Sequence, residues 1–219
     1  TAVSQVLLDE FAKGVQHTRS LTFGLNRNTT DKFIDPSRGS VQSGSVEYAG
    51  GPLGGDSQFV KYFLNAKAFY PVTATTVFSW NALWAHAVPT VGGGEIPIFE
   101  RFFLGGPYSI RGFRSRELSP KDPNTGEAIG GNKELIGNLE YLFPLVSEIA
   151  FKGVFFFDVG NTWGQGKWPW TGEQLRYAYG AGVRWYSPMG PLRFEWGWNL
   201  KPGPGESKRV MEFTIGTAF

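Results

Sequence analysis

The sequence predicts an all-β protein, an antiparallel transmembrane β-barrel, on three observations. Apolar and polar residues alternate with period 2 in segment after segment, the pattern of strands with one oily face. The connections alternate between short turns and long loops, as expected when the two ends of a barrel face different compartments. The less oily face carries Gly, Asn, Ser, Thr and isolated charges rather than a dense charged coat. Such a face suits a wet or plugged lumen, which leaves the oily face for acyl chains.

Composition bounds the alternatives. A chain of 219 residues is read as one domain, residues 1–219. The richest apolar run, Val154-Phe155-Phe156-Phe157, is far shorter than the ~18 residues of a spanning helix, so a helical membrane protein is excluded. The formal net charge is only +2, with 21 basic residues dispersed among 19 acidic ones, and nucleic acid is not expected as a partner. Zero Cys excludes disulfide scaffolds, thiolate metal sites and Cys nucleophiles together. The amino terminus shows neither an initiator Met nor a secretion signal, so a processed or excised chain is expected.

In chain order, residues 5–8 read as a partial strand ahead of nine fuller ones. Segments 21–27 and 40–49 alternate least cleanly. Val60, Tyr62, Leu64, Ala66 and Ala68 oppose Lys61, Asn65 and Lys67; Phe78, Trp80, Ala82 and Trp84 oppose Ser79 and Asn81. Next, Leu135, Gly137, Leu139, Tyr141 and Phe143 oppose Asn138 and Glu140, and Phe151, Phe155, Phe157 and Val159 oppose Lys152 and Asp158. In segment 177–186, Tyr179, Ala181, Val183 and Trp185 interleave with Gly180, Gly182 and Arg184. Then Leu192, Phe194, Trp196 and Trp198 interleave with Arg193, Glu195 and Gly197. Finally Met211, Phe213, Ile215, Thr217 and Phe219 interleave with Glu212, Thr214 and Gly216. Aromatics crowd the strand ends, at Tyr70, Tyr141, Trp185 and Phe219, as in the girdles at a bilayer boundary.

Turns at 70–73, 143–146 and 187–191 are short, whereas 87–132, 160–176 and 201–207 are long. A spanning sheet must close, because hydrocarbon offers no partner to an open edge. Nine strands is an odd count for a bacterial barrel. Either a tenth strand lies near the amino end or the chain is part of a larger barrel.

The longest loop, 87–132, holds Glu100-Arg101-Phe102-Phe103-Leu104-Gly105-Gly106 followed by Ile110-Arg111-Gly112-Phe113. Here the chain resembles the BamA-type family of outer-membrane protein insertases, whose superfamily also contains the two-partner secretion transporters. The resemblance extends through Gly130-Gly131-Asn132, Asn138-Leu139-Glu140-Tyr141, Phe157-Asp158-Val159-Gly160 and Ser187-Pro188-Met189-Gly190-Pro191-Leu192 to a last strand ending in Phe219. It implies a loop folded back into the lumen, with Arg111 meeting Glu140 and Asp158, Gly112 close to the wall and Phe113 packed on the strands. Parity adds its own reason: if Leu139, Tyr141, Phe157 and Val159 face lipid, then Glu140 and Asp158 face inward on adjacent strands. A guanidinium can bridge two carboxylates where an ammonium cannot.

The resemblance further implies a non-enzymatic outer-membrane barrel, Gram-negative in setting, that inserts nascent outer-membrane proteins through a weak seam. That seam would be the edge strand 208–219, with Gly216 as a kink and Phe219 at its end. The alternatives are a polypeptide-translocating channel of the two-partner type and an inactive barrel fragment. Expected partners are outer-membrane lipid and nascent barrel proteins. Periplasmic POTRA modules and accessory lipoproteins join them if the chain belongs to a longer one, and a homodimer if the barrel is a reduced one. The family's barrel has sixteen strands, of which this chain holds about the last nine. No cofactor and no metal are expected: His17 and His86 are far apart in sequence, and Gly92-Gly93-Gly94 lacks the context of a phosphate loop. Trp163, Trp168 and Trp170 read as loop-cap aromatics.

Overall fold

The computed structural model describes residues 3–91, 94–167, 174–187 and 190–216. Among the described residues, nine antiparallel strands pair strictly with their sequence neighbours in one sheet, in the order β1 to β9. They are β1 (Ser20–Asn28), β2 (Gly39–Ala49), β3 (Phe59–Pro71), β4 (Val77–Pro89), β5 (Lys133–Val146), β6 (Phe151–Trp163), β7 (Arg176–Ser187), β8 (Gly190–Asn199) and β9 (Arg209–Ile215). Such a meander follows from connections too short to cross over: Val72 N–H donates to the Thr76 carbonyl to close β3 to β4, and a three-residue helical turn joins β5 to β6. Pro144 weakens the end of the β5–β6 ladder, and the register shifts between Pro144 and Val146.

Residues 5–8, read above as a partial strand, are instead part of helix α1 (Gln5–Ala12). The reason lies in the segment itself: Val6, Leu7, Leu8 and Phe11 do not alternate, and Leu, Glu, Gln and Ala are good helix formers. Ser4 anchors the helix start. Its amide donates to Glu127 and its hydroxyl to Asp122, tying the amino end to the long loop.

Side-chain burial obeys the alternation. Phe23, Leu25, Leu64, Leu139, Phe155, Phe157, Trp196, Phe213 and Ile215 project from one face and are exposed, Phe23 by 68% and Ile215 by 65%. Stacked aromatic pairs, Phe143 with Phe155 and Phe194 with Phe213, run across that face. A band of exposed apolar side chains this continuous is a surface made for hydrocarbon. Among the described residues, no helix is long and apolar enough to cross a membrane.

The opposite face carries the buried interior, and loop 90–132 fills it. Leu104, Ile110, Phe113 and Leu118 of the loop pack with Ile136 of β5 and Ala178 of β7. A second cluster joins Ile96 of the loop to Ala49, Phe59 and Ala87, with Phe102 against it. The loop is therefore the core of the domain. Its main chain is tied to the sheet as well: Phe102 and Gly131 exchange two hydrogen bonds, and Thr162 donates to the Leu118 carbonyl. Trp163 ends β6 and is buried. Trp168, Trp170, Pro188, Met189, Thr217 and Phe219 lie outside the described residues.

Candidate functional site

The strongest concentration of chemistry is where the loop meets the inner face of β5 to β8. Parity places Glu140 (β5), Asp158 (β6), Arg184 (β7), and Arg193 and Glu195 (β8) on that face, each flanked by outward apolar neighbours. The loop supplies Arg111. Its Nε and Nη2 donate to the two oxygens of Asp158 at 2.8 and 2.7 Å, a fork-on-fork pair, and its backbone amide adds a third bond at 2.9 Å. Nη1 reaches Glu140 at 2.7 Å and Glu195 at 3.1 Å. One guanidinium thus ties three carboxylates from three strands. Only 3% of Arg111 is exposed and none of Asp158.

The carboxylates would repel one another without further cations. Arg184 donates to both oxygens of Glu140 and to Glu195, and Arg193 pairs with Glu195. Three guanidiniums against three carboxylates leave the cluster formally neutral. Dehydrated charges persist only when paired and hydrogen-bonded in this way. Burial alone would lower the pKa of Arg111, but the charges of Asp158 and Glu140 outweigh it and hold the pKa well above its ordinary value. Its guanidinium also lies 3.7 Å from the centroid of the Phe156 ring, adding a cation–π contact.

Close approach of the loop backbone needs glycine on both sides. Gly112 has φ +85°, and a Cβ there would stand 3.0 Å from the Gly197 carbonyl carbon and 3.2 Å from Ala178 Cβ. Phe113 follows, fully buried, with the Arg176 guanidinium 5.6 Å from its ring centroid. An amide ladder supports the same loop from the other side. Asn65 donates to Asn81, Asn81 to Asn138, and Asn138 to both the Ser109 carbonyl and Asp158. Between this ladder and Tyr108 a polar cavity of about 420 Å³ remains.

Of the residues singled out in the sequence, Arg111, Gly112, Phe113, Glu140 and Asp158 meet in this cluster. Gly216 stands apart from it: among the described residues the β8–β9 pairing runs as far as Ile215, and Gly216, with φ +94°, donates its amide to the Pro191 carbonyl. Sequence reasoning missed Glu195, Arg184, Arg193, Asn138 and Gly197. The signal was available for the four polar ones, since each alternates with outward apolar residues as Glu140 and Asp158 do. Gly197 carried no mark distinguishing it from other inward glycines.

Comparison with known proteins places these motifs in context. The profile of the Omp85 superfamily domain matches residues 3–219. The outer membrane protein assembly factor BamA of Nitratidesulfovibrio vulgaris is 36% identical over 213 residues, which cover 96% of this chain and 26% of that protein. The BamA of Neisseria meningitidis serogroup B is 32% identical over 232 residues, covering 90% of this chain and 28% of that protein. The chain therefore spans about a quarter of the length of these relatives. In fold it is similar to the crystal structure of BamA from Haemophilus ducreyi lacking POTRA domains 1–3, with a TM-score of 0.78 at 24% identity over 90% of this chain and 41% of that one. An antiparallel transmembrane β-barrel is the architecture that the alternation, the sheet and this likeness share.

Proposed function

This chain belongs to the Omp85 superfamily, and on that premise we propose that it is the carboxyl-terminal barrel region of an outer-membrane protein that assembles other β-barrel proteins into the bacterial outer membrane. The observation that carries the reading is the 36% identity to an outer membrane protein assembly factor over nearly the whole chain. Partners follow: outer-membrane lipid, nascent barrel proteins and, in the longer protein, periplasmic POTRA modules with accessory lipoproteins.

The mechanism we infer is templating, with no bond made or broken. Among the described residues, strand β9 pairs with β8 from Arg209 to Ile215. Its outer edge, which pairs with no strand among the described residues, carries N–H and C=O groups that an incoming strand can extend. At Gly216, with φ +94°, the backbone leaves the extended conformation. The arginine clamp fixes the loop, and through it β5 to β8, so that the strand beside β9 is held while the seam opens. An oily belt interrupted at a weak seam also thins the adjoining bilayer.

The test uses the full protein that carries this region, reconstituted in liposomes and mixed with a urea-denatured small barrel. Folding faster than in protein-free liposomes, with disulfide capture between Met211→Cys in β9 and a Cys in the client's terminal strand, is the expected result. Export of a soluble polypeptide without faster folding of the client would assign the barrel to translocation instead.

A further inference from the structure

The oily face is not uniformly convex in side-chain size. The register sets Leu25, Gly44, Leu64, Trp84 and Leu135 in one cross-strand row, and Arg27, Gln42, Ala66, Ala82 and Gly137 in the next. Large side chains in the first row flank a glycine, and the second row beyond Arg27 and Gln42 is only Ala66, Ala82 and Gly137. The result is a trench across β1 to β5. Its upper part, about 280 Å³, is bounded by Phe23, Val46 and Tyr62; its lower part, about 770 Å³, runs between Leu64, Trp84 and Leu135 to Arg27 and Gln42.

We propose that this trench is a binding site for one anionic glycerophospholipid of the periplasm-facing leaflet, with an acyl chain along Gly44 and Ala66 and the headgroup phosphate at Arg27. The trench lies on the face that meets hydrocarbon, so its apolar part is filled by an acyl chain; an unfilled trench would forfeit the contacts of its lining. The polar end is equally specific. Arg27 shares the parity of Phe23 and Leu25 on β1, hence points outward, and among the described residues it forms no ion pair or side-chain hydrogen bond. It is the penultimate residue of β1, next to connection 29–38. That connection lies at the short-turn end, which faces the periplasm in outer-membrane barrels. Beside it Gln42 Oε1 is buried with no hydrogen-bond partner among the described residues, an acceptor suited to a headgroup hydroxyl. One cation, one free acceptor and a long apolar floor match a phospholipid in length and polarity.

The inference rests on the outward face meeting lipid, not on the assembly reaction. Its test is native mass spectrometry of the full protein released from nanodiscs of phosphatidylethanolamine with a minor fraction of phosphatidylglycerol. Wild type retains one phosphatidylglycerol. Arg27→Gln lowers that retention about fivefold, the effect of one basic side chain on anionic lipid. Gly44→Leu, whose added Cβ would meet the flexible end of Leu64 at 3.1 Å and the Phe63 carbonyl oxygen at an ordinary 3.8 Å, removes retention of either lipid. If the Gly44 variant loses its heat-modifiable folded band, Ala82→Leu fills the same trench from an exposed position. A wild type that releases every lipid, variants that retain lipid as wild type does, or a retained mass matching a second protein chain would overturn the proposal. Client folding by Arg27→Gln, measured separately, reports on the assembly reading alone.

Discussion

Gly112 and Gly197 lie backbone against backbone: a Cβ placed on Gly197 would stand 2.6 Å from the Gly112 Cα. One glycine comes from the loop and the other from β8, so the tolerance for side-chain volume there is nil on both partners. This contact sets the depth of the loop, and that depth brings the Arg111 guanidinium within reach of Asp158, Glu140 and Glu195.

Substituting either glycine with alanine is expected to lift the loop. Gly112→Ala adds a positive-φ penalty of about 1–2 kcal/mol to the collision. In folded protein, trypsin should then cut after Arg114 or Arg116, both exposed, far faster than in wild type. Equal digestion rates for wild type and Gly197→Ala would show that the contact does not limit docking.

Arg111→Ala strands the buried carboxylates of Asp158 and Glu195 and the half-buried one of Glu140 beside two remaining cations, and is expected to lower stability by about 3–5 kcal/mol. Arg111→Lys should recover little, because an ammonium cannot reproduce the fork on Asp158 while reaching Glu140 and Glu195. Guanidinium unfolding of the reconstituted protein measures both, and a wild-type midpoint for the Lys variant would rule out the geometric account.

Asn138 acts through two partners at once. Asn138→Ala is expected to destabilise by about 1–3 kcal/mol by leaving the half-buried Ser109 carbonyl and the buried Asp158 carboxylate without this donor. A double-mutant cycle with Asp158→Asn should return a coupling energy of about 0.5–3 kcal/mol. Strict additivity would mean that the amide ladder and the clamp are independent.

The tie between α1 and the loop should respond to acid. The Ser4 hydroxyl first, then the Asn124 amide, hold the Asp122 carboxyl below its ordinary pKa. A depressed folded-state pKa gives stabilisation that is complete above the unfolded value, about 3.9, and is lost as pH falls through the folded one. A nitroxide on Lys13→Cys, the only thiol in the chain, should be equally immobile at pH 7 and 5 and loosen only below about pH 4. Ser4→Ala should be loose throughout, and a transition near pH 6 would point to another group.

Most of the sheet was legible because lipid and lumen impose opposite demands on successive residues. Segments such as 192–200 and 135–143 declare period 2 in their side chains alone. The clamp was half legible. Arg111, Glu140 and Asp158 stand in motifs, and parity gave the acids their face, but pairing with Glu195 depends on how far β8 stands from β5, which no local pattern encodes. The amino end misled for a different reason: residues 5–8 are too few to separate a strand from the first turn of a helix, and only Glu10 to Ala12 complete the helical pattern. The outward trench was invisible for want of register, since Gly44 and Ala66 become neighbours of Arg27 only once β1, β2 and β3 are aligned.

The clamp also imposes an order on biogenesis. Arg111 precedes along the chain every acid that holds it, and Glu195 lies 84 residues further on. Until β8 has joined the sheet, the guanidinium has no complete seat, and Glu140 and Asp158 wait without theirs. Seating of the loop therefore doubles as a report that four successive strands, β5 to β8, have been laid down in the correct register, and a sheet lacking any one of them carries ionised side chains that only water could satisfy.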